Sequence, residues 1–98
     1  MLICFDIDGT ICTNTNGEYE SASPYPERIS HINRLLIQGN QVIFFTARGS
    51  TTGIDWSELT KSQLKSWGIS NPVVFFGKPD ADLFIDDKAR NSETYMWG

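Results

Sequence analysis

Ninety-eight residues, 40% of them hydrophobic and 12% aromatic, suffice for one hydrophobic core and exclude a second lobe. Eight basic against twelve acidic residues leave a net charge of -4, which argues against nonspecific binding to nucleic acid or acidic membranes. No apolar run approaches the ~20 residues of a membrane span, no signal-type segment opens the chain and the two cysteines lack metal-ligand spacing, so one cytoplasmic domain over residues 1–98 is the expectation.

The apolar run Leu2-Ile3-Cys4-Phe5 predicts a first strand, and Asp6-Ile7-Asp8-Gly9-Thr10 follows directly behind it. Two carboxylates two residues apart at a strand end place one to attack and the other to shuttle a proton, while Gly9 and Thr10 let the backbone turn. Ile11-Cys12-Thr13 and Glu18-Tyr19-Glu20 flank Asn14-Thr15-Asn16-Gly17, a hairpin signal that makes residues 11–23 a small flap hairpin and loop. Pro24 and Pro26 open a helix with Ile29, Ile32, Leu35 and Leu36 at helical spacing and Gly39 closing it, and His31 falls on its wet face without a catalytic role.

The second strand, residues 41–45, ends in Thr46-Ala47-Arg48-Gly49. Asp55 caps a second helix in which Trp56, Leu59, Gln63, Leu64 and Trp67 form one stripe ended by Gly68, and that spacing assigns both tryptophans to the core. Residues 73–76 form a third strand followed by Gly77-Lys78-Pro79, and residues 83–85 a fourth followed by Asp86-Asp87-Lys88. In the tail, Tyr95 and Trp97 pack on the sheet or on a neighbour.

Strand, helix, strand, helix, strand predicts a parallel sheet, and in such sheets ligands bind beyond the carboxyl ends of the strands, where these polar groups converge. The short link between the third and fourth strands leaves two solutions open. An extended return keeps Lys78 at the site; an antiparallel hairpin places Lys78 at the other end and makes Lys88 the phosphate lysine.

Asp-x-Asp, Thr, Lys and Asp-Asp, in that order and each behind an apolar run, resemble the four motifs of the haloacid dehalogenase superfamily of phosphatases. Asp6 and Asp8 match the first motif, Thr46 the second, Lys78 the third, and Asp86 with Asp87 the fourth. The resemblance implies a Rossmann-like three-layer sandwich with a mostly parallel central sheet, reduced to a core without a cap domain. The stretches around Thr46-Ala47-Arg48 and Gly77-Lys78-Pro79 are similar to small phosphatases of capsular polysaccharide biosynthesis, which implies a sugar phosphate or related small metabolite as substrate.

The chemistry expected is Mg²⁺-dependent hydrolysis of a phosphate monoester through an aspartyl phosphate. Asp6 is the nucleophile, and Asp8 protonates the leaving oxygen and later activates water. Thr46, the amides around Ala47 and Lys78 hold the phosphate, and Arg48 grips a second anionic group of the substrate. The Asp6 carboxylate, the Asp8 carbonyl and Asp86 bind Mg²⁺, with Asp87 acting through water or orienting the shell. Residues 11–23 and 49–54 are too short to cover a small ligand, so an open site is expected, closed by a second copy of the chain or by a bulky substrate. The other readings are a polynucleotide 3'-phosphatase, a phospho-acceptor regulatory domain and an inactive Mg²⁺-binding interaction module. An EF-hand and a P-loop are excluded, because the required residues are missing.

Overall fold

The computed structural model describes residues 1–77, 82–85 and 97. Its centre is β1 (Leu2–Asp6), whose alternating side chains drive Ile3 and Phe5 into the main core. β2 (Gln41–Phe45), β3 (Val74–Phe75) and β4 (Leu83–Ile85) complete a four-stranded sheet of order β3-β2-β1-β4. Every pairing is parallel, with Phe5 opposite Phe44 on one side and Ile85 on the other, and Asp6 opposite Phe45. All four strands therefore end at the same edge.

Parallel pairing of β4 with β1 removes the antiparallel hairpin. β3 and β4 are not neighbours but lie at opposite edges, about 14 Å apart at the usual strand spacing, within reach of the link over residues 76–82. Asp82 sets where β4 begins: its carboxylate accepts the Leu2 N–H at 2.7 Å, and its own N–H donates to the Leu2 carbonyl at 3.0 Å. β3 is shorter than expected, although the carbonyls of Val73 and Phe75 accept the N–H groups of Phe44 and Thr46.

Helix α1 (Pro26–Ile37) begins with proline at its first turn and buries Ile29 and Ile32. Helix α2 (Ser57–Ser66) follows Asp55, which stands one residue before the cap position; its carboxylate accepts both the N–H and the hydroxyl of Ser57. Those two bonds hold the Asp55 carboxyl below the usual range. The end of α2 meets α1, where Asn33 donates to the Gly68 carbonyl at 3.1 Å. Between them and the sheet sits one core of Ile3, Phe5, Ile7, Ile11, Ile29, Ile32, Phe44, Leu64, Ile69 and Ile85. Leu36, expected on the buried stripe, is exposed.

The flap departs from the expected hairpin. Asn16 and Gly17 do turn the chain with positive φ of 53° and 98°, but residues 18–20 do not pair with 11–13. Tyr19–Ser21 winds into a 3-10 turn, and the pairing passes to the segment beyond it: Thr13 N–H donates to the Ser23 carbonyl and Tyr25 N–H to that of Ile11, both at 2.9 Å. Residues 14–22 are thereby released from pairing with 11–13 and reach toward the carboxyl edge of the sheet.

His31 is not on a wet face but buried at 8% exposure. Trp97 folds back over α1, edge-on to His31 at 5.6 Å and tilted against Phe5 at 5.5 Å; its carbonyl accepts from Arg34 and the Arg28 guanidinium lies 4.8 Å from its ring. Burial, reinforced by the Arg34 charge, lowers the His31 pKa from its ordinary 6.5. The unfolded chain therefore takes up this proton first, so the contribution is present above pH 6.5 and lost as pH falls below it. The urea midpoint should fall between pH 7.5 and 5.5, and His31→Phe, which keeps a ring against Trp97, should show a smaller fall over the same interval.

Candidate active site

Behind β1 the chain makes a tight turn. The N–H groups of Thr10 and Ile11 both donate to the Ile7 carbonyl, and that of Gly9 donates to the Cys12 carbonyl at 2.9 Å. Gly9 supplies the left-handed φ of 82° that this closure needs. Ile7 and Ile11 are anchored in the core, so Asp6 and Asp8 are carried to the edge where β1 and β2 end. Cys12 packs beneath Asp8, its Sγ 3.6 Å from the Ile7 carbonyl and 3.7 Å from Asp8 Oδ1. Burial and the Asp8 charge push the Cys12 thiol up to about 12, which keeps it protonated and unreactive at neutral pH. Neither Cys4 nor Cys12 is in a disulfide, and both are buried.

The dominant interaction of the site is an ion pair. Arg48, its side chain fully buried, grips Asp8 with two N–H groups, Nε to Oδ2 at 2.9 Å and Nη2 to Oδ1 at 2.8 Å. Its Nη1 donates to Thr60 Oγ1 at 3.1 Å and Gln63 Oε1 at 2.7 Å, and its plane lies 4.6 Å from the Tyr19 ring. Gln63 passes the network on, since its Nε2 donates to the Tyr19 carbonyl at 2.6 Å. Arg48, expected from its place behind β2 as a grip on the substrate, lines the cavity with four of its N–H groups committed to these partners. It ties the loops behind β1 and β2, the flap and α2 into one unit around Asp8.

Beyond Arg48 the chain closes a compact loop. Ser50 N–H donates to the Ala47 carbonyl, and Gly53 N–H donates to that of Gly49 at 2.8 Å. At Gly49, with φ of 82°, a Cβ would stand 2.1 Å from the Ile54 carbonyl oxygen, so no other residue fits without reshaping the loop. This loop, the flap and Trp56 wall a cavity of about 560 Å³, at the base of which stand Asp6 and Asp8. Neither segment covers a ligand alone, but together they enclose space within the roughly 300–1,000 Å³ of small-molecule sites. Trp56 is not core, as its stripe suggested; it lies before the first turn of α2, where the helical period does not apply, and meets Tyr19 edge-on at 5.0 Å. Trp67 does pack against the core.

Thr46 is buried at the end of β2, where its Oγ1 accepts the Arg48 N–H at 3.0 Å and its own proton remains to donate. Ala47 is exposed on the cavity wall. Lys78, Asp86, Asp87 and the rival Lys88 lie outside the described residues. Among the described residues no three acidic, histidine or cysteine groups gather to hold a metal. The contribution these residues can make to an oxygen-ligand cation is the Asp6 carboxylate and the Asp8 carbonyl, the latter accepting none of the described backbone hydrogen bonds outside helices and strands. Both Asp8 carboxylate oxygens face Arg48, so the Asp8 carbonyl is the oxygen this residue has left to offer a cation.

Tyr19, Trp56, Thr60 and Gln63 belong to the site without having been assigned to it. Gln63 did carry a signal: a polar residue inside an otherwise apolar helical stripe needs a buried partner. No family model matches the chain, and neither a curated protein nor a solved structure is significantly similar to it.

Removing one partner of a buried ion pair strands the other charge. Arg48→Met should cost about 3 kcal/mol of stability and Arg48→Lys less, because the ammonium keeps the charge but loses the fork. In a double-mutant cycle with Asp8→Asn, denaturation should return a coupling of about 1–3 kcal/mol; additive losses would show that the two residues do not interact.

Proposed function

We propose that the protein is a Mg²⁺-dependent phosphomonoesterase of haloacid dehalogenase type, acting on a sugar phosphate or related small phosphorylated metabolite. The observation that carries this reading is the placement of Asp6, at the carboxyl end of the central parallel strand, beside a second carboxylate held rigidly at the base of the same cavity. The three-layer sandwich belongs to the same proposal. Strand alternation points Cys4 away from the helices, yet it is fully buried, which calls for a further layer on that side.

In this mechanism an Asp6 carboxylate oxygen attacks phosphorus, forming the O–P bond as the ester P–O bond breaks, and Asp8 gives a proton to the departing alkoxide. Water then attacks the aspartyl phosphate, Asp8 takes its proton, and phosphate and Asp6 are released. The two-point grip of Arg48 holds the Asp8 carboxyl in one orientation through both proton transfers. The Thr46 hydroxyl and the Ala47 amide hold phosphate oxygens, a role shared with Lys78. Asp6, the Asp8 carbonyl and Asp86 would hold Mg²⁺, with Asp87 acting through water or orienting the shell, and the ion would supply the charge neutralisation that lets one anion approach another.

Turnover of p-nitrophenyl phosphate with and without Mg²⁺ tests the reading. Hydrolysis should require the metal and vanish in Asp6→Asn, an isosteric change that removes the nucleophile and preserves the fold. Asp8→Asn should still be phosphorylated by this good leaving group but hydrolyse slowly, so that phosphoenzyme accumulates and is visible by mass. Substantial activity in Asp6→Asn would overturn the covalent mechanism. Absence of any turnover, with Mg²⁺ still bound, would favour the interaction module.

A further inference from the structure

The cavity above Asp6 and Asp8 is larger than a phosphate needs, so its walls face the leaving group. Among its described lining residues the sole cation is Arg48, and four of its N–H contacts are already taken by Asp8, Thr60 and Gln63 while its face covers Tyr19. With its charge balanced by Asp8 and one N–H of five left over, this guanidinium is a weak partner for a second anion. The rest of the described wall is neutral. Asn14, Asn16, Ser50, Thr51 and Thr52 bring amides and hydroxyls, and Tyr19 with Trp56 makes an aromatic corner.

We infer that the site selects phosphate monoesters whose leaving group is a neutral, polyhydroxylated molecule and rejects those bearing a carboxylate or a second phosphate. This rests on the phosphomonoesterase reading and narrows its substrate. Amide and hydroxyl groups exchange hydrogen bonds with hydroxyls in either direction, and the apolar C–H face of a sugar ring lies against an aromatic edge or face. An additional anion finds no counter-charge beyond Arg48 among the described residues of this wall, and a charge taken from water without a partner is disfavoured there. Lys78 does not alter the balance, since its assigned partner is the phosphate that is cleaved.

The matched esters α-glucose 1-phosphate, glucuronic acid 1-phosphate and glucose 1,6-bisphosphate differ in one substituent at the far end of the ring. With Mg²⁺, kcat/KM for the first should exceed that for the other two by about tenfold or more. Thr51→Lys, which sets a cation on the exposed wall, should narrow that ratio several-fold, and Trp56→Ala should lower kcat/KM for glucose 1-phosphate more than for p-nitrophenyl phosphate. Calorimetric titration of the Asp6→Asn variant with the same three esters reads the ranking without turnover. Hydrolysis of p-nitrophenyl phosphate with equal or preferred use of the charged esters overturns this inference and leaves the phosphomonoesterase reading standing. The predicted binding order without hydrolysis of any ester does the reverse. Neither binding nor hydrolysis of any of them overturns both.

Discussion

A guanidinium removed from water must have its N–H groups satisfied and its charge balanced, and the environment of Arg48 follows from that requirement. Asp8 supplies the charge and two acceptors; Thr60 and Gln63 supply the others. Because these partners come from the turn behind β1 and from α2, Arg48 cannot be buried until the sheet edge and the second helix are both in place. Replacing the pair by apolar residues of similar volume can leave such an interior equally stable, so its retention is better explained by orientation. A fork on a carboxylate fixes both the position and the plane of the group.

Orientation matters more here because the chain is short. Among the described residues no cap stands over this site, and its walls are two loops. Gly49 closes one of them through contacts that admit no side chain, and the Tyr19 carbonyl anchors the other through Gln63. Excluding water strengthens every charge interaction inside, so a partly enclosed cavity reduces the need for a second subunit or a self-covering substrate to complete the site.

The parallel sheet was legible because each strand is a continuous apolar run, as expected of strands covered on both faces, and because polar groups at successive strand ends mark the binding edge. What escaped reading depended on contacts distant in sequence. Arg48 meets Asp8 across 40 positions, and nothing adjacent to either announces it. His31 has a polar neighbour on one side and a wet-looking helical position, yet Trp97, 66 residues later, removes it from water. The Asn16-Gly17 turn was read correctly and its pairing was not: turn chemistry specifies where a chain reverses, whereas the partner strand is chosen by what the returning residues can bury. Trp56 failed for a local reason, since a helical stripe says nothing about a residue preceding the first turn.

If the protein is the phosphomonoesterase proposed above, the route from Tyr19 through Gln63 and Arg48 to Asp8 joins the wall that meets the leaving group to the carboxylate that handles its proton. Displacing Tyr19 to admit a larger ligand would pull on Gln63, loosen one of the Arg48 contacts and change the hold on Asp8. Specificity and proton transfer are therefore mechanically linked in this cavity. Evolving a new leaving-group preference through residues on the free side of the wall, such as Ser50, Thr51 and Thr52, leaves that linkage untouched, whereas substitutions at Tyr19 or Gln63 alter both at once. Among the residues of this small site, those exposed loop positions are the ones at which substrate choice can change without disturbing the hydrogen bonds that hold Asp8.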